Sequence, residues 1–318
     1  MKFPLALVLA LTALPCLADP APGLAPLSDA TNADRPLALS LWYPSAEEPS
    51  GSIGGNAVFQ GVPAATGAVL PESQLSLVVV SHGGLRSAAN SGAWLSAALA
   101  QAGFVVAEVN APRPESAAAA LDEIWQRPQD IRRAIDIVLG NDTWRGRIDA
   151  DRIAVIGFAL GGTAALSLAG AGMDAQGYMD SCSGGQAPDC GWLAAQGVSL
   201  TDTSPEGLAR LSPDPRVTAA VALGPEYMAS LDLAPMTAPA LLIALGPEAL
   251  AASAAAARSV TLPEASIYDG FAACTEAGPA ILEEDGAGAI CGTSAASREA
   301  VHQRLTEVIA SFLTERVE

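Results

Sequence analysis

The sequence is poor in positive charge and contains a single lysine, Lys2. Its 16 Lys and Arg residues stand against 34 Asp and Glu residues, and the formal net charge is −18. A surface this acidic repels phosphate backbones and anionic headgroups. The charge balance therefore argues against nucleic acid and anionic membranes as partners. Solubility in an ionic medium explains it without any basic partner.

Histidine is nearly as scarce, since His82 and His302 are the only two in 318 residues. A zinc-type centre needs several His or Cys ligands at close spacing, which the sequence does not provide. We therefore predict no metal and no other cofactor. The same scarcity leaves few candidates for a general base near neutral pH.

Long apolar runs are absent after the first 18 residues. The amino-terminal run, ending in small residues, predicts a signal peptide over 1–18 that is cleaved after Ala18, and hence a periplasmic or secreted protein. A lipid-modified Cys16 is the alternative, which Pro15 disfavours. No stretch is long and apolar enough for a membrane span. The remainder, 19–318, is predicted to form one domain.

Four cysteines remain after the signal peptide: Cys182, Cys190, Cys274 and Cys291. An even number in an exported chain indicates two disulfides. Of the three pairings, Cys182 with Cys190 and Cys274 with Cys291 is favoured, because it closes two short loops. Four free, buried thiols are the alternative.

Apolar, β-branched runs alternate with helical patterns along the chain. The runs LSLVVVS, FVVAEVN and RIAVIGF predict buried strands, and the stretches that follow them predict helices. Such alternation is typical of a mostly parallel sheet with helices on both faces, so we predict an α/β fold. Further predicted strands are LALSLWY (37–43), RVTAAVALG, ALLIALG and ASIYDG, with a possible short one at NAVFQG.

Four segments give less regular patterns. Residues 19–34 predict an extended lead-in, and 111–127 predict a loop or irregular helix ahead of a helix with Pro128 near its start. Residues 172–212 predict an insertion that carries two of the cysteines. The closing helix, SREAVHQRLTEVIASFLTERV, has Ser297 as its expected N-cap.

The segment RIAVIGFALGGTAAL, residues 152–166, has the pattern of a nucleophile elbow. In that motif a buried strand enters a tight glycine turn and a helix follows, and a hydrolase presents its serine at the turn. Here the centre of the Gly-Phe-Ala-Leu-Gly turn is Ala159, whose side chain is a methyl group.

Several motifs in this order resemble the α/β-hydrolases, and more narrowly the exported bacterial dienelactone-hydrolase-like proteins related to platelet-activating-factor acetylhydrolases. They are RPLALSLWYPS, VVVSHGG, IWQRPQDIRRAIDIVL, IDADRIAVIGFALGG, DPRVTAAVALGPEY, APALLIALG and SREAVHQRLTEVIASFL. The resemblance covers nearly all of the chain after the signal peptide and implies the α/β-hydrolase fold.

The catalytic triad that the resemblance implies is vacant at every position. Ala159 stands where the family has its nucleophilic serine, Gly224 where it has an aspartate, and Ile267 where it has a histidine. A serine esterase needs a hydroxyl, an imidazole and a carboxylate together. We therefore predict a degenerate triad.

The residues that could substitute are few. His302 in the closing helix and Glu248 after a predicted strand are weak candidates, and Glu226 is a third. Ser81, Ser87 and Ser91 lie near the His-Gly-Gly turn, but a serine without a neighbouring base is a poor nucleophile.

The turn His82-Gly83-Gly84 and the amide of Leu160 are predicted to form an anion-binding notch of the oxyanion type. The sequence thus predicts an inactive hydrolase homologue with a binding or interaction role. Its expected ligand is a small ester, lactone or carboxylate. Alternatives are a carboxylic-ester or lactone hydrolase with a non-standard site, an active enzyme with a deliberate Ser-to-Ala change, and a structural protein that docks a partner.

Overall fold

A computed structural model describes residues 20–84, 88–184, 189–284 and 286–317. The predicted signal peptide, Cys16 and Ser87 lie outside these described residues. Twelve strands occur among them: β1 (Gly23–Asp29), β2 (Leu37–Tyr43), β3 (Gly51–Ile53), β4 (Val62–Thr66), β5 (Leu75–Ser81), β6 (Val105–Asn110), β7 (Ile148–Phe158), β8 (Gly172–Met173), β9 (Val217–Leu223), β10 (Leu231–Asp232), β11 (Ala240–Leu245) and β12 (Ala257–Leu262).

Nine α-helices accompany these strands in the described part of the chain. They are α1 (Ala93–Gln101), α2 (Ala117–Ala120), α3 (Glu123–Gly140), α4 (Leu160–Leu168), α5 (Ala175–Asp180), α6 (Cys190–Ala195), α7 (Pro205–Leu208), α8 (Gly278–Glu284) and α9 (Ala295–Val317).

Ten of the strands form one twisted sheet in the order β12-β11-β9-β7-β5-β6-β2-β1-β4-β3. The six strands from β12 to β6 are parallel, and β2 joins them antiparallel to β6. The central strands are apolar along their whole length because helices cover both faces. This confirms the predicted α/β architecture with a mostly parallel sheet.

Two apolar layers hold the helices to the sheet. On one face α3 and α4 bury residues such as Ile131, Ile135 and Leu166. On the other face α1 and α9 bury residues such as Leu99 and Leu305. The two layers fix the carboxyl ends of β5, β7, β9 and β11 at one edge of the sheet, where ligands bind in open α/β sheets.

The predicted strand ASIYDG was wrong. Ile267–Gly270 is a 3₁₀ helix. The edge strand of the sheet is β12, which ends at Leu262, before the predicted strand begins. The reason is a local cap: the Ser266 hydroxyl accepts from the amide of Tyr268 at 3.2 Å, and Asp269 accepts from the amide of Ser266 at 2.7 Å. Side chains that bond their own backbone compete with strand pairing.

Helix α3 begins earlier than predicted, so Pro128 lies inside it rather than near its start. The Glu123 carboxylate in its first turn accepts from Arg35 at 2.8 Å and from Arg127 at 3.1 Å. These ion pairs hold a further helical segment ahead of the proline. Likewise α9 begins at Ala295, and the hydroxyl of Ser294 accepts from the amide of Ser297, which is therefore not the N-cap.

The amino-terminal segments also differ from expectation. Within 19–34 the structure has β1, which pairs with β2 in a regular antiparallel register instead of forming a lead-in alone. NAVFQG makes only an isolated bridge from Phe59 to Cys274, and the nearby strands are β3 and β4. The sequence of β1, GLAPLSD, contains proline, alanine and glycine, so its alternation of buried and exposed side chains gives no clear strand pattern.

Two disulfides join Cys182 to Cys190 and Cys274 to Cys291, with Cα–Cα distances of 5.4 and 5.7 Å. This is the local pairing, and two disulfides fit an extracellular protein. Among the described residues, no helix combines the length and apolarity that a bilayer crossing requires.

Candidate active site

The turn between β7 and α4 has the sharp geometry of a nucleophile elbow, although its central residue is an alanine. Ala159 has φ +55° and ψ −123°, a conformation that L residues rarely adopt. A Cβ on Gly157 would lie 1.8 Å from the Gly161 carbonyl oxygen, and one on Gly161 would lie 1.9 Å from that of Ser81. The two glycines are required because backbone passes directly over backbone.

A cavity of about 870 Å³ opens at the carboxyl ends of the central strands. Ala159, Gly224 and Ile267 all line it, so the three positions that the resemblance assigns to a triad share one cavity. Ile267 is 57 % exposed. Gly224 has φ +46°, and a Cβ there would meet its nearest neighbour, Cδ1 of Leu245, at 3.5 Å.

His82 lines the same cavity and is only 8 % exposed. Its Nε2 lies 2.7 Å from the carbonyl oxygen of Gly270 and must donate to it, because a carbonyl oxygen only accepts. Nδ1 is then the acceptor nitrogen, and it has no partner among the described residues. Burial lowers the pKa of His82 to about 4, so the ring is neutral at pH 7.

His302 is held away from the cavity by α9. Its ring stacks on Trp94 at a centroid distance of 3.7 Å, and its Nε2 lies 2.9 and 3.0 Å from the carbonyl oxygens of Asp269 and Phe271. Burial lowers the pKa of His302 to about 4. His302 thus packs on Trp94 and bonds the backbone of the 3₁₀ segment, and its imidazole does not line the cavity with Ala159.

The predicted notch is built on the His-Gly-Gly turn. Gly83 and Gly84 line the cavity, but the amide of Gly83 donates to the carbonyl oxygen of Phe158 at 3.1 Å. That amide is already used by the fold. Leu160 is 1 % exposed, and its side chain packs with Tyr178 in an apolar cluster beneath the cavity.

Arg127 fixes the backbone of this turn and was missed by sequence reasoning. Its guanidinium donates to the carbonyl oxygens of His82 at 3.2 Å, Gly83 at 3.0 Å and Gly84 at 2.5 Å, and its Nε donates to Glu123. The signal available in the sequence is the spacing of four residues between Glu123 and Arg127, which suits an ion pair on a helix.

Three acidic residues line the cavity close to the predicted anion-binding notch. Asp189, Glu226 and Glu248 line it. A Cβ built on Gly84 would lie 3.4 Å from Oε1 of Glu226 and 4.0 Å from Oδ2 of Asp189, so both carboxylates flank this turn.

Glu226 is largely buried beside this turn. Burial and, after it, the charge of Asp189 raise the pKa of Glu226 to about 7, and the charge of Arg127 opposes them. Its Oε2 has no partner among the described residues. Glu248 is exposed at the rim of the cavity.

Two of the candidate serines are described. Ser81 is 5 % exposed at the end of β5, and the Ser91 hydroxyl donates to the carbonyl oxygen of Ala88 at 2.7 Å. Neither serine is paired with His82, because Nε2 of His82 bonds the carbonyl oxygen of Gly270 and its Nδ1 has no partner among the described residues.

Residues 172–212 supply part of the cavity wall. Their short helices α5, α6 and α7 pack on α2 and the start of α3 through an apolar cluster that includes Tyr178, Leu193 and Leu208. Asp189, which precedes α6, is the described residue of this segment that lines the cavity. These helices have only 6, 6 and 4 residues, which is too short for a hydrophobic periodicity to appear in the sequence.

Comparison with known proteins bears on the fold. No family model matches the chain, and no curated protein matches it. A solved structure, the ferulic acid esterase from Streptomyces cinnamoneus, is similar with a TM-score of 0.55 and 20 % identity. The match covers 96 % of this chain and 92 % of that one. Together with the sheet order and the elbow, this likeness identifies the architecture as the α/β-hydrolase fold.

Proposed function

We propose that this chain is an exported, catalytically inactive member of the dienelactone-hydrolase-like group that binds a small molecule in the inherited cavity. The observation that carries the proposal is Ala159. A methyl group occupies the centre of an elbow whose only chemical use in a hydrolase is to present a nucleophile.

The state of the two imidazoles supports the loss of esterase chemistry. A general base must reach the proton that it removes, and its pKa must lie near the working pH. Both histidines spend Nε2 on backbone carbonyls, and both have a pKa of about 4. Neither is suited to deprotonate a hydroxyl at neutral pH.

The size and lining of the cavity support a binding role. Its volume of about 870 Å³ lies within the range of small-molecule sites, and apolar side chains dominate its walls. Export is supported by the amino-terminal sequence and by the two disulfides.

A second candidate is an esterase that uses water activated by Glu226. One observation favours it: this carboxyl flanks Gly84 and has a pKa of about 7, which suits a general base. Such an enzyme would lose its activity in Glu226→Gln and would not react with a fluorophosphonate.

Ester hydrolysis separates these candidates. We expect no turnover of 4-nitrophenyl acetate or butyrate above the buffer rate, and no covalent labelling by a fluorophosphonate probe. Labelling, or turnover that survives exhaustive purification, would overturn the inactive assignment. Loss of that turnover in Glu226→Gln would point to the second candidate.

Restoration tests whether the vacancies are the cause. We expect Ala159→Ser alone to remain inactive, and Ala159→Ser with Gly224→Asp and Ile267→His to gain measurable ester turnover. Position 224 has room for a Cβ, and aspartate tolerates a positive φ better than most residues. If the single variant is as active as the triple one, the vacancies at 224 and 267 do not limit catalysis.

A further inference from the structure

Ile267 presents a large apolar side chain to solvent inside the cavity. Among the described residues, the large apolar side chains that are exposed are Val69, at 77 %, and Ile267, at 57 %. Val69 lies outside the cavity lining, whereas Ile267 is part of it. An apolar side chain that is exposed in a concave wall becomes covered when a ligand binds, so Ile267 marks a place for an apolar group.

Further apolar and aromatic side chains that solvent can reach line the same cavity. Each of them is partly exposed: Phe59, Leu245, Leu250, Tyr268 and Phe271. Phe59 and Phe271 stack with their ring centroids 5.9 Å apart. Together with Ile267 they form an accessible apolar surface, which is the kind of lining that binds the body of a small molecule.

This surface is held in place before any ligand arrives. In the 3₁₀ segment that begins at Ile267, the carbonyl oxygen of Gly270 accepts from Nε2 of His82 at 2.7 Å and from Nε1 of Trp94 at 2.9 Å. Phe59 is fixed by its isolated bridge to the segment that follows. An ordered wall favours binding, because less conformational entropy is lost when the ligand enters.

The charged side chains of the lining disfavour an anion. Among the described residues that line the cavity, the acids are Asp189, Glu226 and Glu248, and Arg113 is the cation. Arg113 is exposed, and an exposed ion pair contributes little to affinity. A ligand carboxylate would exchange its hydration for an apolar wall in a chain of formal charge −18, and an uncharged group would not incur that cost.

We infer that the cavity takes an uncharged molecule with an aromatic or alkyl body in preference to a carboxylate of the same shape, and that Ile267 is one of the side chains that contact it. The inference rests on the proposed binding role and names its ligand class. The position at which the resemblance implies a histidine thus provides an apolar contact. Phe59 and Phe271 provide the aromatic part of the same surface.

Three probes test this inference: 4-phenylbutan-2-one, 3-phenylpropionate and butan-2-one. The first two have nearly the same shape and differ in charge, and the third keeps the carbonyl group of the first without its ring. None of them contains an ester bond, so hydrolysis cannot affect the measurement. In titration calorimetry of the oxidised protein at pH 8, we expect 4-phenylbutan-2-one to bind at least about tenfold more tightly than either other probe, with a negative heat-capacity change.

The variant Ile267→Ser tests the contact itself. We expect it to weaken the binding of 4-phenylbutan-2-one about fivefold, because the ligand then covers a polar side chain in place of an apolar one. The matched control is Val69→Ser, which makes the same kind of change outside the cavity and should alter the affinity less than about twofold. Both side chains are exposed, so both variants are expected to fold.

The outcomes are distinguishable. If none of the three probes binds, the binding role fails and this inference with it. If 3-phenylpropionate binds as tightly as 4-phenylbutan-2-one, the binding role stands and the preference for an uncharged ligand is wrong. If butan-2-one binds as tightly, the apolar surface does not select the ligand. Unchanged affinity in a folded Ile267→Ser would remove Ile267 from the site. The comparison of probes on the unmodified protein decides the ligand class even if that variant does not fold.

Discussion

The backbone of Ala159 offers a direct test of whether the elbow is strained in a chain that has no nucleophile. The residue has φ +55° and ψ −123°, a region that glycine adopts freely and alanine does not. Residues held in such regions cost of the order of 1–3 kcal/mol each. Ala159→Gly should release that cost, since the turn itself can stay as it is.

The same substitution also removes stability in two ordinary ways. The added freedom of glycine in the unfolded chain costs about 0.5–1 kcal/mol, and the lost buried methyl group costs about 0.8 kcal/mol. Ala244→Gly is the matched control, because Ala244 is 3 % exposed, lines the same cavity and lies in the regular strand β11. It incurs both ordinary costs and has no strain to release.

We therefore expect Ala159→Gly to be more stable than Ala244→Gly by about 1–3 kcal/mol. The assay is urea unfolding at 25 °C with both disulfides intact, followed by tryptophan fluorescence and circular dichroism, with equal m values in the two variants. If the two variants lose the same stability to within about 0.5 kcal/mol, the elbow is not strained and the argument from φ is refuted.

Two further predictions concern buried charge. Burial raises the pKa of Glu108 from 4.5 to about 7, so folding favours the protonated carboxyl, and the stability that this provides is present below pH 4.5 and lost as the pH rises through 7. The free energy of unfolding of Glu108→Gln, measured in urea, should therefore rise by about 3 kcal/mol relative to that of the unmodified protein as the pH goes from 4.5 to 8. A difference that does not change with pH would contradict this. Arg127→Ala leaves Glu123 buried without one partner and frees the turn at Gly83, so it should lower the free energy of unfolding by about 3–5 kcal/mol, measured by thermal unfolding. The control Arg132→Ala, on a partly exposed face of the same helix, should lower it far less, and equal losses would show that Arg127 does not hold the turn.

The sheet could be predicted because its signal is local. LSLVVVS and RIAVIGF are apolar along their length, which marks strands covered on both faces, and each prediction lies on a strand of the structure. ASIYDG failed because a hydroxyl and a carboxylate at 266 and 269 cap their own backbone, a choice that hydrophobic periodicity does not encode.

The candidate site could be predicted only in part, because its main contacts are distant in sequence. Arg127 reaches the carbonyls of a turn more than forty residues earlier, and the charge of Asp189 acts on Glu226 from another part of the chain. The sequence offers Glu226 as a weak candidate for a substitute catalytic residue, but no pattern in it indicates that this carboxyl is buried. Burial changes its chemistry, since it raises the pKa and leaves an acceptor without a partner.

The elbow has a use in this chain that does not depend on a serine. The carbonyl oxygen of Ala159 accepts from the amide of Glu226 at 3.3 Å, and Thr163, in the first turn of α4, donates its hydroxyl to the carbonyl oxygen of Glu226 at 2.5 Å. The amide of Ala159 in turn donates to Leu223 at the end of β9. The turn thus fixes the backbone on both sides of the loop that carries Glu226. It therefore shapes the part of the cavity wall that this loop provides, and that structural use does not require a hydroxyl at position 159.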